Sequence, residues 1–210
     1  MPEIAAALRA VLPPGVVLGL PDETALWDGE ALPGAVPQRL AEFARGRSAC
    51  RDAMRGLRHP AAAIPVGADR APVWPAGLTG SISHCAGACL AVLGPRAEWA
   101  GLGLDIEPAR PLPADLWPFI LLPEERAALP VQTPGLAALA IFAAKEAAYK
   151  AQYAMSRTLF DFQALSVTLA PGRFTACFVA AVAPFGAGHP LHGVRVQAGG
   201  FVAAFCGITA

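Results

Sequence analysis

From Leu102 to Glu107 the chain reads Leu-Gly-Leu-Asp-Ile-Glu, an alternation that an extended strand sorts onto two faces. Leu104 and Ile106 turn into a core, while Asp105 and Glu107 project together from the other face, about 7 Å apart along the backbone. Two carboxylates held side by side repel unless they are protonated, solvated or bridged by a cation. The pattern alone is satisfied equally by a solvated sheet face and by a binding site.

The surrounding chain supplies the elements such a strand needs. Residues 16–20 predict a short first strand. Pro37 opens a helix to about Leu57, with proline in the first turn where its missing N–H is harmless. Leu40, Phe43, Cys50, Met54 and Leu57 form its apolar stripe, and Arg47, Arg51 and Arg55 line another face. A loop rich in Pro, Gly and Ala follows, from His59 to Gly80. Ser81–Ser83 and Ala88–Leu93 read as short strands, the second apolar throughout and therefore central. A Pro-rich loop spans 108–118, a short helix opens at Pro123, and a longer one covers Gly135–Met155. Residues 164–210 hold three or four strands between Pro/Gly turns. This mixture lacks βαβ regularity and predicts an α+β fold with antiparallel pairing.

Charge narrows the chemistry. Lys and Arg number 16, as do Asp and Glu, so no net positive field steers a polyanion and a nucleic-acid binder is not expected. Fourteen of the basic residues are Arg, and both lysines, Lys145 and Lys150, fall in one short stretch, Phe142-Ala-Ala-Lys-Glu-Ala-Ala-Tyr-Lys150. Glu146 and Lys150 are four apart, which an ordinary helix salt bridge explains. Lysine, unlike arginine, offers a compact ammonium whose proton can be moved, and a chain that writes Lys only here points to a need for it. Asp105, Glu107 and Glu146 can together hold one hard divalent ion shared with phosphate oxygens. A metal and a lysine around a phosphate suit phosphoryl transfer, where catalysis is mainly positioning and charge neutralisation. Gly80-Ser-Ile-Ser-His84 adds small residues and a donor beside a strand end, although a satisfied structural histidine explains His84 as well.

Residues 1–20 show no charged segment leading into an apolar one, so no secretory signal is expected. The uncharged run Phe174–Val194 is broken by Pro184, Gly186, Gly188 and Pro190, which predicts a buried strand and a turn rather than a membrane span. Cys50, Cys85, Cys89, Cys177 and Cys206 make an odd count with no second pair at zinc spacing. Buried free thiols and a cytoplasmic setting are the expectation.

Taken together, these segments resemble the 4'-phosphopantetheinyl transferases, specifically the siderophore-synthase (enterobactin) type. The resemblance runs from about Arg39 to Phe162 in the family's order. It includes Glu42-Phe43-x3-Arg47, Arg70-x-Pro-Val-Trp-Pro, Gly80-Ser-Ile-Ser-His84-Cys85, and Gly103-Leu-Asp105-Ile-Glu107-Pro108. Leu122-Pro-Glu-Glu-Arg126, the Phe142–Lys150 helix and Phe160-Asp-Phe162 complete it. The resemblance implies a fold of two similar lobes, residues 1–100 and 101–210, related by a pseudo-twofold axis with coenzyme A between them. It implies transfer of phosphopantetheine from coenzyme A to a serine of an acyl or peptidyl carrier protein, with release of adenosine 3',5'-bisphosphate. Carried over, Asp105, Glu107 and Glu146 are Mg²⁺ (or Mn²⁺) ligands, Lys150 offsets the leaving charge, and Glu107, Glu146 or a metal-bound water takes the serine proton. Arg39, Arg47, Ser83 and His84 fall to the 3'-phosphate end, and Lys145 and Arg70 to the nucleotide or pyrophosphate. Trp117, Phe119, Ile120 and Leu121 are either a carrier-docking patch or core. Many family members carry another base before the position of Arg70, where Val66-Gly-Ala stands here. The rival readings are a non-catalytic coenzyme A or carrier-binding module and a metal-dependent phosphodiesterase or nuclease. The first predicts loss of one of the four chemical residues; the second predicts a basic groove. A monomer without a transmembrane segment is expected.

Overall fold

The computed structural model describes residues 1–22 and 25–210. Two antiparallel sheets form. The smaller has the strand order β1-β3-β2, from β1 (Val17–Gly19), β2 (Leu78–Cys85) and β3 (Ala88–Pro95). The larger has the order β4-β8-β7-β6-β5, from β4 (Trp99–Pro108), β5 (Leu165–Ala170), β6 (Arg173–Phe178), β7 (Pro190–Ala198) and β8 (Phe201–Thr209). The helices are α1 (Pro2–Arg9), α2 (Pro37–Gly56), the short α3 (Trp117–Ile120) and α4 (Pro123–Ala127), and α5 (Pro134–Ser156). This is the α+β class that the segment pattern predicts. The apolar run of β3 does sit centrally, with Leu90 and Val92 on one face and Ala91 and Leu93 on the other, all buried.

Three cores follow from this layering. One lies between α2 and the small sheet, with Ala49, Cys50, Ala53 and Met54 against Leu78, Ala91 and Leu93. Another lies between α5 and the large sheet. The middle core joins the sheets: Leu90 and Val92 meet Leu102, Leu104 and Ile106 of β4, and Ile4 and Leu8 of α1 close it against Ala203 and Phe205 of β8. Helix α1 therefore packs on strands from the far end of the chain. The two sheets meet chiefly where β2 runs along β4, with β3 adding its apolar face, and they differ in size, with three strands against five.

Glycine sets the closeness of helix to strand. A Cβ on Gly103 of β4 would fall 1.8 Å from the Ala147 carbonyl oxygen of α5, and one on Gly19 of β1 would fall 1.9 Å from that of Ala49 in α2. In both places the strand has no side chain because the helix backbone rests on it. Along α5 the facing residues Ala143, Ala147 and Ala151 are correspondingly small and fully buried. Gly103→Ala should therefore force α5 off β4, an overpacking cost of about 1–3 kcal/mol or more. Gly186→Ala, whose methyl meets nothing within 4 Å, should stay within about 0.5 kcal/mol of the parent. Urea unfolding of the two variants checks this, and equal midpoints would contradict the packing.

Candidate functional site

Strand β4 is the outer strand of the large sheet, so its edge away from β8 has no strand partner. Buried N–H groups there need acceptors. Ser81 and Ser83, two apart on β2 and thus on one face, provide them: Leu104 N–H donates to Ser81 Oγ at 3.0 Å and Ile106 N–H to Ser83 Oγ at 3.2 Å. Two side-chain hydroxyls thus replace a β-ladder and seam the sheets together. Both serines are buried.

The seam delivers the carboxylates. Ser83 Oγ donates to Asp105 Oδ1 at 3.0 Å, and Lys150 Nζ reaches the same oxygen at 2.7 Å and the Leu104 carbonyl at 3.0 Å. Glu146 Oε2 lies 3.9 Å from Lys150 Nζ, one helical turn back on α5. The Lys150 ammonium therefore stands between Asp105 and Glu146. Asp105 Oδ2 is buried without a hydrogen-bond partner among the described residues. Burial, reinforced by the charge of Asp105, pushes the Glu107 carboxyl up to about 7, and burial likewise raises Glu146. Among the described residues no three His, Cys, Asp or Glu side chains already converge as a metal cluster.

A second group lies at the His84 end of β2. Arg39 Nη1 is 2.7 Å from His84 Nε2, and Glu42 Oε2 lies 3.2 Å from Arg39 and 3.9 Å from His84 Nδ1. A guanidinium only donates, so Nε2 accepts and the ring is neutral, with its proton on Nδ1. Burial and the Arg39 charge agree with this, holding the His84 pKa below its ordinary value. Between the sheets opens a cleft of about 320 Å³. Its walls include Arg70, Trp74 and Gly80 from the small-sheet side and Tyr149, Lys150 and Tyr153 from α5. Lys150 thus joins Arg70, Arg96 and Arg157 on the lining of this opening, and Asp105 and Glu146 adjoin it through Lys150.

Comparison with known proteins agrees with that arrangement. Residues 28–94 match the 4'-phosphopantetheinyl transferase N-terminal domain model, and residues 101–206 match the 4'-phosphopantetheinyl transferase superfamily model. The chain belongs to the 4'-phosphopantetheinyl transferase superfamily. It is 38% identical to 4'-phosphopantetheinyl transferase PptT of Mycobacterium tuberculosis over 160 residues, 74% of this chain and 67% of that protein. It is also 38% identical to the transferase Svp of Streptomyces mobaraensis over 152 residues, 68% of this chain and 60% of Svp. With enterobactin synthase component D of Salmonella typhi it shares 38% identity over 146 residues, 66% of this chain and 58% of that protein. These relatives are all named as transferases or synthase components, which lends nothing to the nuclease or binding-module readings.

In this transferase-family chain, the geometry groups some of the expected residues and separates others. Lys150 links Asp105 and Glu146, with Glu107 electrostatically coupled to all three, and Arg39 meets His84. Arg70 lies on the cleft wall in a left-handed conformation, φ 66°. Ser83 is committed to the seam. Arg47 is buried, with Nε donating to the Ile64 carbonyl at 3.2 Å and its guanidinium 3.5 Å over the Phe43 ring; burial lowers its pKa to about 10. Lys145 and Lys150 do not share a site. The Lys145 ammonium is buried against Glu125 Oε2 at 2.7 Å and the Ile120 carbonyl at 2.9 Å, and burial lowers its pKa. Glu125 also accepts from Leu122 and Val167 N–H, so this pair ties α4, α5 and β5 together.

The arginine face expected on α2 is not an open basic surface. Arg51 is fully buried against Glu30, both of whose oxygens lie 2.9 Å from its Nη1, and Arg55 pairs with Asp22 and Asp52. Of the apolar stretch near the α4 entrance, Ile120 and Leu121 are buried core, whereas Phe119 is 72% exposed. Sequence reading also missed Ser81, although Ser-x-Ser spacing on a strand signals a shared face. It missed a clasp across the cleft mouth too, where Tyr153 Oη and Arg157 Nη1 meet Asp69 Oδ2 at 3.0 and 3.1 Å.

The buried pair yields a stability prediction. Lys145→Met strands the Glu125 carboxylate and should destabilise the fold by about 3–5 kcal/mol. Arg39→Ala breaks only a largely exposed pair and should cost less than about 1 kcal/mol. Chemical denaturation of the two variants decides it, and a Lys145→Met midpoint equal to the parent's would count against the role.

Proposed function

We propose that this chain transfers the 4'-phosphopantetheine group of coenzyme A to a serine of an acyl or peptidyl carrier protein, and that Asp105, Glu107, Glu146 and Lys150 form its reacting centre. The observation carrying this reading is the Lys150 ammonium held on Asp105 at the seam with Glu146 one turn away and Glu107 within the field of all three, at the wall of a cleft that Lys150 lines. In the reaction the serine oxygen attacks the phosphorus bearing the pantetheine arm. The bond from that phosphorus to the oxygen of the adenosine 3',5'-bisphosphate breaks, and the bisphosphate departs with the electron pair.

The chain's own residues have distinct tasks in this scheme. Lys150 is fixed by Asp105 and the Leu104 carbonyl, so its charge faces the pyrophosphate without reorganisation. Glu107 or Glu146, each half-buried, accepts the serine proton. Arg39 and His84, with Arg47 behind them, hold the 3'-phosphate end, and Arg70 borders the nucleotide. Ser83 supports this site by fixing Asp105, and Lys145 by fixing the helix that carries Glu146. The divalent ion implied by the family fits the donor set. Asp105 Oδ2 is an orphaned buried oxygen, and the acids around it are hard, oxygen-only ligands of the kind Mg²⁺ or Mn²⁺ takes. Asp105, Glu107 and Glu146 would hold it, and when bound it would neutralise pyrophosphate charge.

Residues 1–100 and 101–210 serve as two working lobes in this reading, the first for the 3'-phosphate and the second for the chemistry. The similarity to enterobactin synthase component D supports siderophore carriers among the acceptors. The free cysteines, together with the absence of any described helix able to cross a membrane, support a cytoplasmic setting.

The test is intact-mass spectrometry of apo-carrier proteins incubated with coenzyme A, Mg²⁺ and the chain. One phosphopantetheine mass should be added, and Glu146→Gln or Lys150→Ala should slow the addition by about 10²–10³-fold while the fold is retained. No mass gain on any of several carrier types would overturn the proposal, as would a Glu146→Gln rate close to the parent's.

A further inference from the structure

Arg195 of β7 has no place in the reaction described above, yet it lies on the same sheet face as the reacting acids. Asp105 pairs with Ala204, and Ala204 pairs with Arg195, which puts Arg195 two strands from Asp105, about 10 Å across the sheet. Its backbone N–H is satisfied by the Gly172 carbonyl at 3.0 Å. Its side chain is half-buried, and its Nε is buried with no hydrogen-bond partner among the described residues. A buried guanidinium N–H without an acceptor is costly, and native structures seldom leave one unanswered.

The side chain borders an open cavity of about 650 Å³ between the large sheet and the helices α4 and α5. This space is separate from the coenzyme A cleft and shares no lining residue with it. Leu129, Leu136, Val167 and Val202 give it apolar walls, and Gln197, two residues along β7 and so on the same face as Arg195, stands at an exposed position on its lining. Its only other charged lining residues are Glu124, which is exposed, and Glu125, which is engaged by Lys145 and two backbone N–H groups.

From these observations we propose that the cavity is a second ligand site, taking a small amphipathic carboxylate whose head pairs with Arg195 and whose apolar body lies along α5. One guanidinium matches one planar carboxylate in charge and in fork geometry. A phosphate dianion would be left half-neutralised, because no second cation lines the space. A neutral molecule would leave the charge of Arg195 unanswered. The apolar walls set the remainder of the ligand, as in other pockets where a few polar groups orient a mostly hydrophobic guest.

The experiment is calorimetric titration of the full chain with octanoate and with octanamide, its uncharged counterpart, in the presence and absence of saturating coenzyme A. Octanoate should bind at least tenfold more tightly than octanamide, with or without coenzyme A. Arg195→Gln should weaken octanoate roughly tenfold or more while leaving octanamide unchanged. Leu136→Trp, which fills the cavity from the wall, should abolish binding of both while coenzyme A binding persists and so reports an intact fold. Equal affinities for acid and amide, an undiminished affinity in Arg195→Gln, displacement of octanoate by coenzyme A, or no binding of octanoate at millimolar concentration would each overturn the site. None of these results bears on the transferase reading, which the carrier assay tests separately.

Discussion

The unpaired edge of β4 is the constraint around which the rest of the molecule is arranged. A buried strand edge must find partners for its alternate N–H and C=O groups, and here no strand supplies them. Ser81 and Ser83 accept from Leu104 and Ile106, and Lys150 donates to the Leu104 carbonyl. The same Ser83 hydroxyl and Lys150 ammonium converge on Asp105 Oδ1. The contacts that hold the two sheets together are therefore the contacts that position the candidate reacting groups. Gly103 makes this geometry reachable by letting α5 rest on β4, which brings Glu146 and Lys150 down to the seam.

Charge in this chain divides into a structural and a functional population. Arg51 with Glu30 and Lys145 with Glu125 are buried pairs with additional backbone hydrogen bonds, and each fastens a loop or a short helix to a long one. Such pairs contribute modest net stability but are costly to break one partner at a time. The other population lines the cleft and its floor. Overall neutrality, 16 against 16, conceals this partition. What distinguishes Lys150 from Lys145 is the company each keeps: one ammonium is one-quarter exposed beside acids with raised pKa values, and the other is enclosed.

The parts legible in the sequence are those governed by local periodicity. The alternation around Asp105 and Glu107 placed both carboxylates on the α5 face of β4, and the i, i+4 spacing placed Glu146 beside Lys150. The apolar run of β3 marked a central strand, and Pro37 and Pro123 marked helix starts. What escaped depends on partners distant in the chain. Glu30 meets Arg51 from an irregular loop, so the arginine stripe of α2 looked open when it is largely buried or paired. Glu125 comes from a five-residue helix, and nothing near Lys145 announced that its charge was already taken. Periodicity also could not show that Ser81 and Ser83 face a strand edge, because that edge belongs to another sheet. The family resemblance grouped Asp105, Glu107, Glu146 and Lys150, and the coordinates add that Lys150 reaches Asp105 and Glu146 while Lys145 is already taken by Glu125.

The central claim is that one knot of side chains both joins the sheets and holds the reacting carboxylate. A double-mutant cycle on unfolding free energy, with Asp105→Asn, Lys150→Met and the combined variant, tests it most directly. The account predicts strong non-additivity, a coupling of about 1–3 kcal/mol between the two positions, because each side chain fixes the other within a mostly buried contact. Effects that add to within about 0.5 kcal/mol would contradict it, since they would mean that Asp105 and Lys150 are held in place independently.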